Sequence, residues 1–292
     1  MKGNIRNSKS KGVSKRRLVS ICVGTIVVLV IIASYLYIKT KKNFVPGAAI
    51  IDQLGCSQLS GARFENQSLI NAVKSLLSER FSRIDYYSDN ATIEQYKLLS
   101  ERGYKLIIWR SHSAIDEDGF VAICSSEQYI QGKYSQYSVE QLTLCNITGE
   151  PLFFAITPHF IKECMSGRFE DTVIIFMACN GLNQKYVKTA EAFIGKGVRA
   201  FISWDNWIGS LENDQATISL LDNLIMENDS ISEAVSKIPT SYTLWGPSQL
   251  VYYPHEVADY YIPNFKENNI EYNSFSLVII PLKNRVRRLY RR

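Results

Sequence analysis

The sequence lacks the short motifs that mark the commonest cofactor and metal sites. No G-x-G-x-x-G or G-x-x-x-x-G-K-[ST] loop follows an apolar strand segment, so the glycine-rich phosphate loop of nucleotide-binding α/β proteins is missing. No C-x-x-C pair or H-E-x-x-H sequence is present, and only three histidines occur in 292 residues. We therefore expect neither a cofactor nor a metal site. The missing phosphate loop also argues against a nucleotide-binding domain.

Acidic residues are absent from both ends of the chain. Residues 1–42 contain ten Lys and Arg residues and residues 283–292 contain six, without an Asp or Glu in either stretch. The part between them has 17 basic and 28 acidic residues, a net charge of −11, although the whole chain carries +5. Because nucleic-acid-binding domains concentrate positive charge, this acidic body argues against a nucleic-acid partner.

One segment near the N-terminus lacks charge altogether. Leu18–Ile38 has 21 uncharged residues, which as a helix would span about 31 Å, the thickness of a bilayer's hydrocarbon core. Seven Lys and Arg residues precede it, so the positive-inside rule predicts a cytoplasmic N-terminus and an extracytoplasmic domain. A cleaved signal peptide is the alternative, but the segment is long and no small-x-small cleavage sequence follows. The predicted regions are a basic tail (1–17), a transmembrane helix in the lipid bilayer (18–38), a linker (39–47), a domain (48–282) and a second basic tail (283–292).

Cysteine is scarce, with six residues in the whole chain. Leaving out Cys22 in the uncharged segment and Cys179, four remain that can pair in three ways. Among these, Cys124 and Cys145 would close a single hairpin-like insertion, which is plausible outside the cytoplasm. Buried free thiols are the alternative. Four N-x-[ST] sequons are compatible with an exported domain; they begin at Asn66, Asn90, Asn146 and Asn228.

Apolar runs occur where a parallel sheet needs them. Val173–Met177 and Tyr104–Trp109 are predominantly apolar, which is typical of strands buried on both faces. Segments with helical spacing, such as Asn66–Phe81, alternate with these strands and predict right-handed crossovers. Between Ala114 and Glu150 short strands surround polar turns, which predicts a β-hairpin-like insertion. The predicted fold class is therefore α/β with a mostly parallel central sheet.

Two of these strands are followed by side chains that carry chemistry. His112 comes just after Tyr104–Trp109, and Cys179 comes just after Val173–Met177. Neighbouring strands lie about 4.8 Å apart, so adjacent strands would bring the imidazole and the thiol together. A histidine can take the proton of a cysteine, and the backbone N–H groups of Cys179 and Asn180 would stabilise an oxyanion. The alternative is a core cysteine and a structural histidine.

The units LIIWRSHS and VIIFMACNGL…AEAFIGKGVRAFISW resemble the caspase-like cysteine peptidases, in particular the clostripain, gingipain and CHAT branches. The resemblance covers roughly Ala48–Trp207. In that group the catalytic His and Cys end two adjacent strands in that order, which implies a three-layer caspase-haemoglobinase-like fold with His112 and Cys179 as the dyad. The family often has Gly after the histidine, contributing an oxyanion N–H; here the residue is Ser113, whose backbone N–H would serve as a third oxyanion donor, though less freely than that of a glycine.

The resemblance also implies a substrate pocket after the second strand. Caspases have Arg after a Ser-Trp pair, and this Arg helps to recognise an acidic P1 residue. Here Asp205 follows Ser203-Trp204, which suggests the reverse preference for Lys or Arg through charge pairing. A solvent-facing acid is the alternative for Asp205. Trp204 and Trp207 would wall the substrate groove, and core packing is the alternative for either one.

Together these patterns predict a membrane-anchored cysteine endopeptidase that acts on a peptide or protein substrate. The alternative is a caspase-like, CHAT-type interaction or regulatory module with weak or no catalysis. A small separation of the Cys179 sulfur and the His112 ring beside an open groove would favour the enzyme. Side chains that point apart, or a filled groove, would favour the module.

Overall fold

The computed structural model describes residues 25–34, 45–59, 65–116 and 118–266, and the chain divides into two units, 1–44 and 45–292. In the first unit, residues 25–34 are helical. Among the residues described, no helix is long and apolar enough to cross a membrane. The remainder of the predicted segment 18–38 and the two basic tails lie outside the described residues.

The second unit is a mixed α/β domain, as predicted. Its helices are α1 (Gln67–Ser78), α2 (Ile93–Leu98), α3 (Lys188–Gly195), α4 (Ser210–Leu221) and α5 (Ile231–Ser236). Its strands are β1 (Gly47–Asp52), β2 (Arg83–Tyr87), β3 (Tyr104–Arg110), β4 (Ser113–Asp116), β5 (Phe120–Gln128), β6 (Leu142–Asn146), β7 (Leu152–Ile156), β8 (Thr172–Met177), β9 (Val198–Trp204), β10 (Ser241–Thr243), β11 (Gly246–Ser248) and β12 (Leu250–Tyr253).

A six-stranded sheet in the order β12-β9-β8-β3-β1-β2 forms the centre of the domain. All of its neighbouring strands are parallel except β12, which runs antiparallel to β9. Every residue of β8 is buried, which explains why this strand is a continuous apolar run. The prediction of a mostly parallel central sheet is confirmed.

Helices cover both faces of this sheet. Helices α1, α4 and α5 contribute to one core cluster, through residues such as Val73, Leu220 and Ile231. Helices α2 and α3 contribute to the cluster on the opposite face, for example through Tyr96 and Phe193. Because the parallel strands are sandwiched between two apolar layers, their carboxyl ends emerge together at a single edge of the sheet.

The insertion after His112 is larger than the predicted hairpin. It is a four-stranded antiparallel sheet in the order β4-β5-β7-β6, which includes Leu152–Ile156 as a central strand. A disulfide joins Cys124 of β5 to Cys145 of β6, the bond predicted to close the insertion, and Cys56 and Cys164 are free thiols. The short, half-buried β4 gives too weak an apolar signal to be recognised from sequence.

Candidate active site

The structure brings the His112 and Cys179 segments together at the carboxyl edge of the central sheet. Strands β3 and β8 are adjacent and parallel, with Arg110 opposite Met177. His112 and Cys179 each follow this last paired position by two residues. The Ser113 hydroxyl donates a hydrogen bond to the Cys179 carbonyl oxygen at 2.7 Å, which joins the two segments directly. The predicted adjacency of the two strands is confirmed.

The backbone of His112 is held from both sides by buried groups. Its N–H donates to Oε1 of Gln53, at 2.8 Å, and its carbonyl accepts from the Cys124 N–H at 3.2 Å. The Ser111 hydroxyl contacts the same carbonyl at 2.7 Å and the Cys124 carbonyl at 2.9 Å. Gln53, Ser111 and Cys124 are all buried, so the histidine lies on a fixed backbone.

The Cys179 thiol is partly buried beside a loop that follows β9. Its Sγ donates to the carbonyl oxygen of Ile208 at 3.6 Å. Burial raises the pKa of the Cys179 thiol, while the backbone of Ile208 and of Cys179 itself acts in the opposite direction. With its pKa raised, the sulfur is a protonated thiol at neutral pH, and nucleophilic attack requires a base.

One of the three predicted oxyanion donors is already engaged. Asn180 adopts a left-handed backbone conformation (φ 57°), and its N–H donates to the Asn206 carbonyl at 3.0 Å. The other two predicted donors are the backbone N–H groups of Ser113 and Cys179. The next residue, Gly181, packs tightly against the sheet. A Cβ at this position would clash with the side chains of Ser203 and Phe176, so the turn requires glycine here.

Trp204 lies in the core and does not wall an open groove. It is 1% exposed, and its indole N–H donates to Oδ1 of Asn213 at 2.8 Å. The Asn213 amide in turn donates to the Met177 carbonyl at 2.9 Å, which ties α4 to the end of β8. For Trp204, core packing, the alternative to a place in the groove wall, is therefore the better description. The residue also borders a recess of about 290 Å³ between α4 and the segment after α5.

Asp205 lies at the wall of a surface pocket of about 530 Å³. One carboxylate oxygen, Oδ1, accepts the Gln249 N–H at 2.8 Å. Its backbone carbonyl accepts from the Asn183 side chain at 2.8 Å, which connects Asp205 to the turn after Cys179. Neither this pocket nor the recess beside Trp204 is lined by His112 or Cys179. The pocket is lined by Leu182, Asn183, Gln184, Lys185, Val187, Asp205, Val251, Tyr252, Tyr253 and His255.

A buried ion-pair cluster underlies the His112 segment and was not predicted. The Arg110 guanidinium contacts Asp52 at 2.8 Å and Asp214 at 2.6 Å, and all three side chains are buried. These partners come from the end of β1 and from α4, so the cluster connects three elements beneath the site. Like Gln53, Asp52 and Arg110 stand at the carboxyl ends of apolar strands. A charged or amide residue at the end of an apolar strand is the sequence signal that could have identified these residues.

Two exposed tryptophans lie in or near the loop that follows β9, and only the first of them, Trp207, was predicted to lie near the site. Trp207 and Trp245 have ring centroids 5.2 Å apart and are 38% and 63% exposed. Trp245 lies at the turn between β10 and β11, two short strands that the sequence analysis missed. The Asn206 side chain donates to the backbone carbonyls of Trp245 and Pro247 and holds this hairpin against the loop.

The described residues do not include a metal-binding cluster. Among the residues described, no group of three or more His, Cys, Asp or Glu side chains is arranged to hold a metal ion. In comparisons with known proteins, neither a protein-family model nor a curated protein sequence matches this chain.

Proposed function

We propose that the chain is a membrane-anchored cysteine endopeptidase with a caspase-like fold, in which Cys179 is the nucleophile and His112 the general base. The observation that carries the proposal is the meeting of the two residues' segments just beyond β3 and β8, joined by the Ser113 hydroxyl. The order along the chain, His before Cys on adjacent strands, is the order found in the family that the sequence resembles.

The proposed reaction begins with Cys179 as a protonated thiol. His112 takes the thiol proton, and the thiolate attacks the carbonyl carbon of the scissile bond, forming a C–S bond and an oxyanion. The N–H groups of Ser113 and Cys179 stabilise the oxyanion. The imidazolium then gives its proton to the amine leaving group as the C–N bond breaks, and water hydrolyses the thioester.

Asp205 gives the proposal a substrate preference. Its carboxylate borders the pocket beside the turn that carries Cys179, and one of its oxygens is held by the Gln249 N–H. Oxygen Oδ2 of this carboxylate would pair with a Lys or Arg side chain at P1. Anchoring through residues 18–38 would place the domain outside the cytoplasm, where a disulfide such as Cys124–Cys145 persists.

A second candidate is an interaction module without efficient catalysis. It is favoured by the exposed Trp207–Trp245 pair and by the Asn180 N–H that is already bonded to Asn206. Exposed aromatic residues are frequent at protein interfaces. In this alternative Cys179 is a structural thiol, and the hairpin of β10 and β11 provides the binding surface.

Active-site labelling separates the two candidates. The full chain is incubated with acyloxymethyl ketones that carry Lys or Arg at P1, and the modified residue is mapped by mass spectrometry. The peptidase predicts label on Cys179 in the wild type and none in Cys179→Ala. An Asp-based ketone is the control for P1 preference. If no probe labels Cys179, the peptidase proposal fails; if only the Asp probe reacts, the role of Asp205 is wrong.

A further inference from the structure

Ser113 connects the two halves of the candidate site through its side chain. It is the first residue of β4, directly after His112, and its half-buried hydroxyl donates to the Cys179 carbonyl at 2.7 Å. The paired register of β3 and β8 ends at Arg110 and Met177. The Ser113 bond therefore extends the connection between the two segments past the end of the strands, to the residues that carry the chemistry.

This bond acts on the peptide plane that follows the nucleophile. The plane contains the Cys179 carbonyl, held by Ser113, and the Asn180 N–H, held by the Asn206 carbonyl at 3.0 Å. Because a peptide unit is planar, holding both ends fixes the ψ angle of Cys179. The Asn206 contact belongs to the partly exposed loop after β9, whereas the Ser113 contact comes from the His112 segment. Ser113 is thus the group that relates Cys179 to the base.

The bond depends on a side-chain hydroxyl, which this chain has at position 113. The family that the sequence resembles often has glycine after the histidine, and glycine has no hydroxyl to donate. A serine retains the backbone N–H proposed for the oxyanion and adds a cross-strand contact.

We propose that Ser113 is a positioning residue, whose hydroxyl sets the placement of the Cys179 thiol relative to His112 for catalysis. The inference rests on the proposed peptidase function. Removing the hydroxyl leaves the Cys179 carbonyl without this anchor, so the position of the Cys179 segment relative to the His112 segment is held less tightly. Misplacement of a reacting group by about 1 Å costs on the order of 100-fold in rate, so the effect falls on turnover rather than on substrate binding.

Three variants of the full chain test this role by kcat and KM on a fluorogenic peptide with Lys or Arg at P1. Ser113→Ala removes the hydroxyl, and Ser113→Thr retains it. Ser236→Ala is the matched control, because the Ser236 hydroxyl also donates to a backbone carbonyl at 2.7 Å but lies on the exposed surface of α5. We expect Ser113→Ala to lower kcat by about 10- to 100-fold with KM within about two-fold of wild type. Ser113→Thr should recover most of kcat, and Ser236→Ala should match wild type.

The proposal is overturned if Ser113→Ala retains kcat within two-fold of wild type, or if Ser113→Thr is as impaired as Ser113→Ala. Thermal unfolding checks each variant, and Ser113→Gly, the residue common in the family, is the second removal variant if Ser113→Ala does not fold. A failure of the peptidase proposal would look different, since the wild type would then show no Cys179-dependent cleavage. In that case the rate of Cys179 alkylation by iodoacetamide decides: a change in Ser113→Ala but not in Ser236→Ala supports the positioning role, and equal rates refute it.

Discussion

The two segments that meet at the site are supported in different ways. The His112 backbone is held by Gln53 and Cys124, neither of which has measurable exposure. The Cys179 side is held by the loop after β9, where Asn206 and Ile208 are only partly buried and Trp207 is 38% exposed. The residue proposed as the base is therefore held by fully buried groups, whereas the proposed nucleophile is held in part by a partly exposed loop. Changes on the first side should affect stability, and changes on the second should affect reactivity.

The largest stability effect is expected at the buried ion pairs beneath His112. Arg110→Met leaves the buried carboxylates of Asp52 and Asp214 without their cation, which should cost about 3–5 kcal/mol in the free energy of unfolding. Arg199→Met is the matched control, because the Arg199–Asp171 pair is exposed and should be worth about 0–1 kcal/mol. Denaturant unfolding measures both. Equal losses in the two variants would show that the support under His112 is no stronger than a surface contact.

A smaller loss is expected at Gln53. Gln53→Leu removes the acceptor of the His112 N–H and leaves a buried donor, which should cost about 1–3 kcal/mol. The control is Gln67→Leu, since the Gln67 side chain is exposed and donates to Asn71 on its own helix. Chemical denaturation with both variants checks the prediction. A change below about 0.5 kcal/mol in Gln53→Leu would mean that His112 is not held in this way.

At Cys179, the expected effect is on the pH dependence of thiol alkylation. Burial raises the pKa of the Cys179 thiol, so its alkylation by iodoacetamide should be slow near neutral pH and rise only above the ordinary thiol pKa of about 8.5. The same shift stabilises the folded thiol fully below the unfolded-state pKa, and this stabilisation is lost as pH rises through the folded-state pKa. Peptide mapping at a series of pH values follows Cys179 in the native and denatured chain. If the pH midpoint of Cys179 alkylation in the native chain lies at or below that of the denatured chain, the prediction of a raised thiol pKa is wrong.

The sequence predicted the central sheet and the adjacency of β3 and β8 well, because both strands are predominantly apolar runs. It predicted the surroundings less well. The start of helix α4 at Ser210 has no clear signal in the sequence, because its first turns contain buried polar residues such as Asn213 that give no apolar period. Asn180 was assigned to the oxyanion, but the left-handed turn that points its N–H at Asn206 depends on tertiary contacts. The same holds for Gln53, which acts across 59 residues of sequence.

The most direct test of the central claim, that His112 and Cys179 act as one unit, is a double-mutant cycle on peptide cleavage. His112→Ala, Cys179→Ala and the double variant are assayed by kcat/KM on the peptide that the wild type cleaves. Residues that act as a unit are strongly non-additive, so each single variant should lose about 10³-fold or more and the double variant should be no worse than Cys179→Ala. Cleavage by His112→Ala within about ten-fold of wild type would contradict the account, because the base would then lie elsewhere.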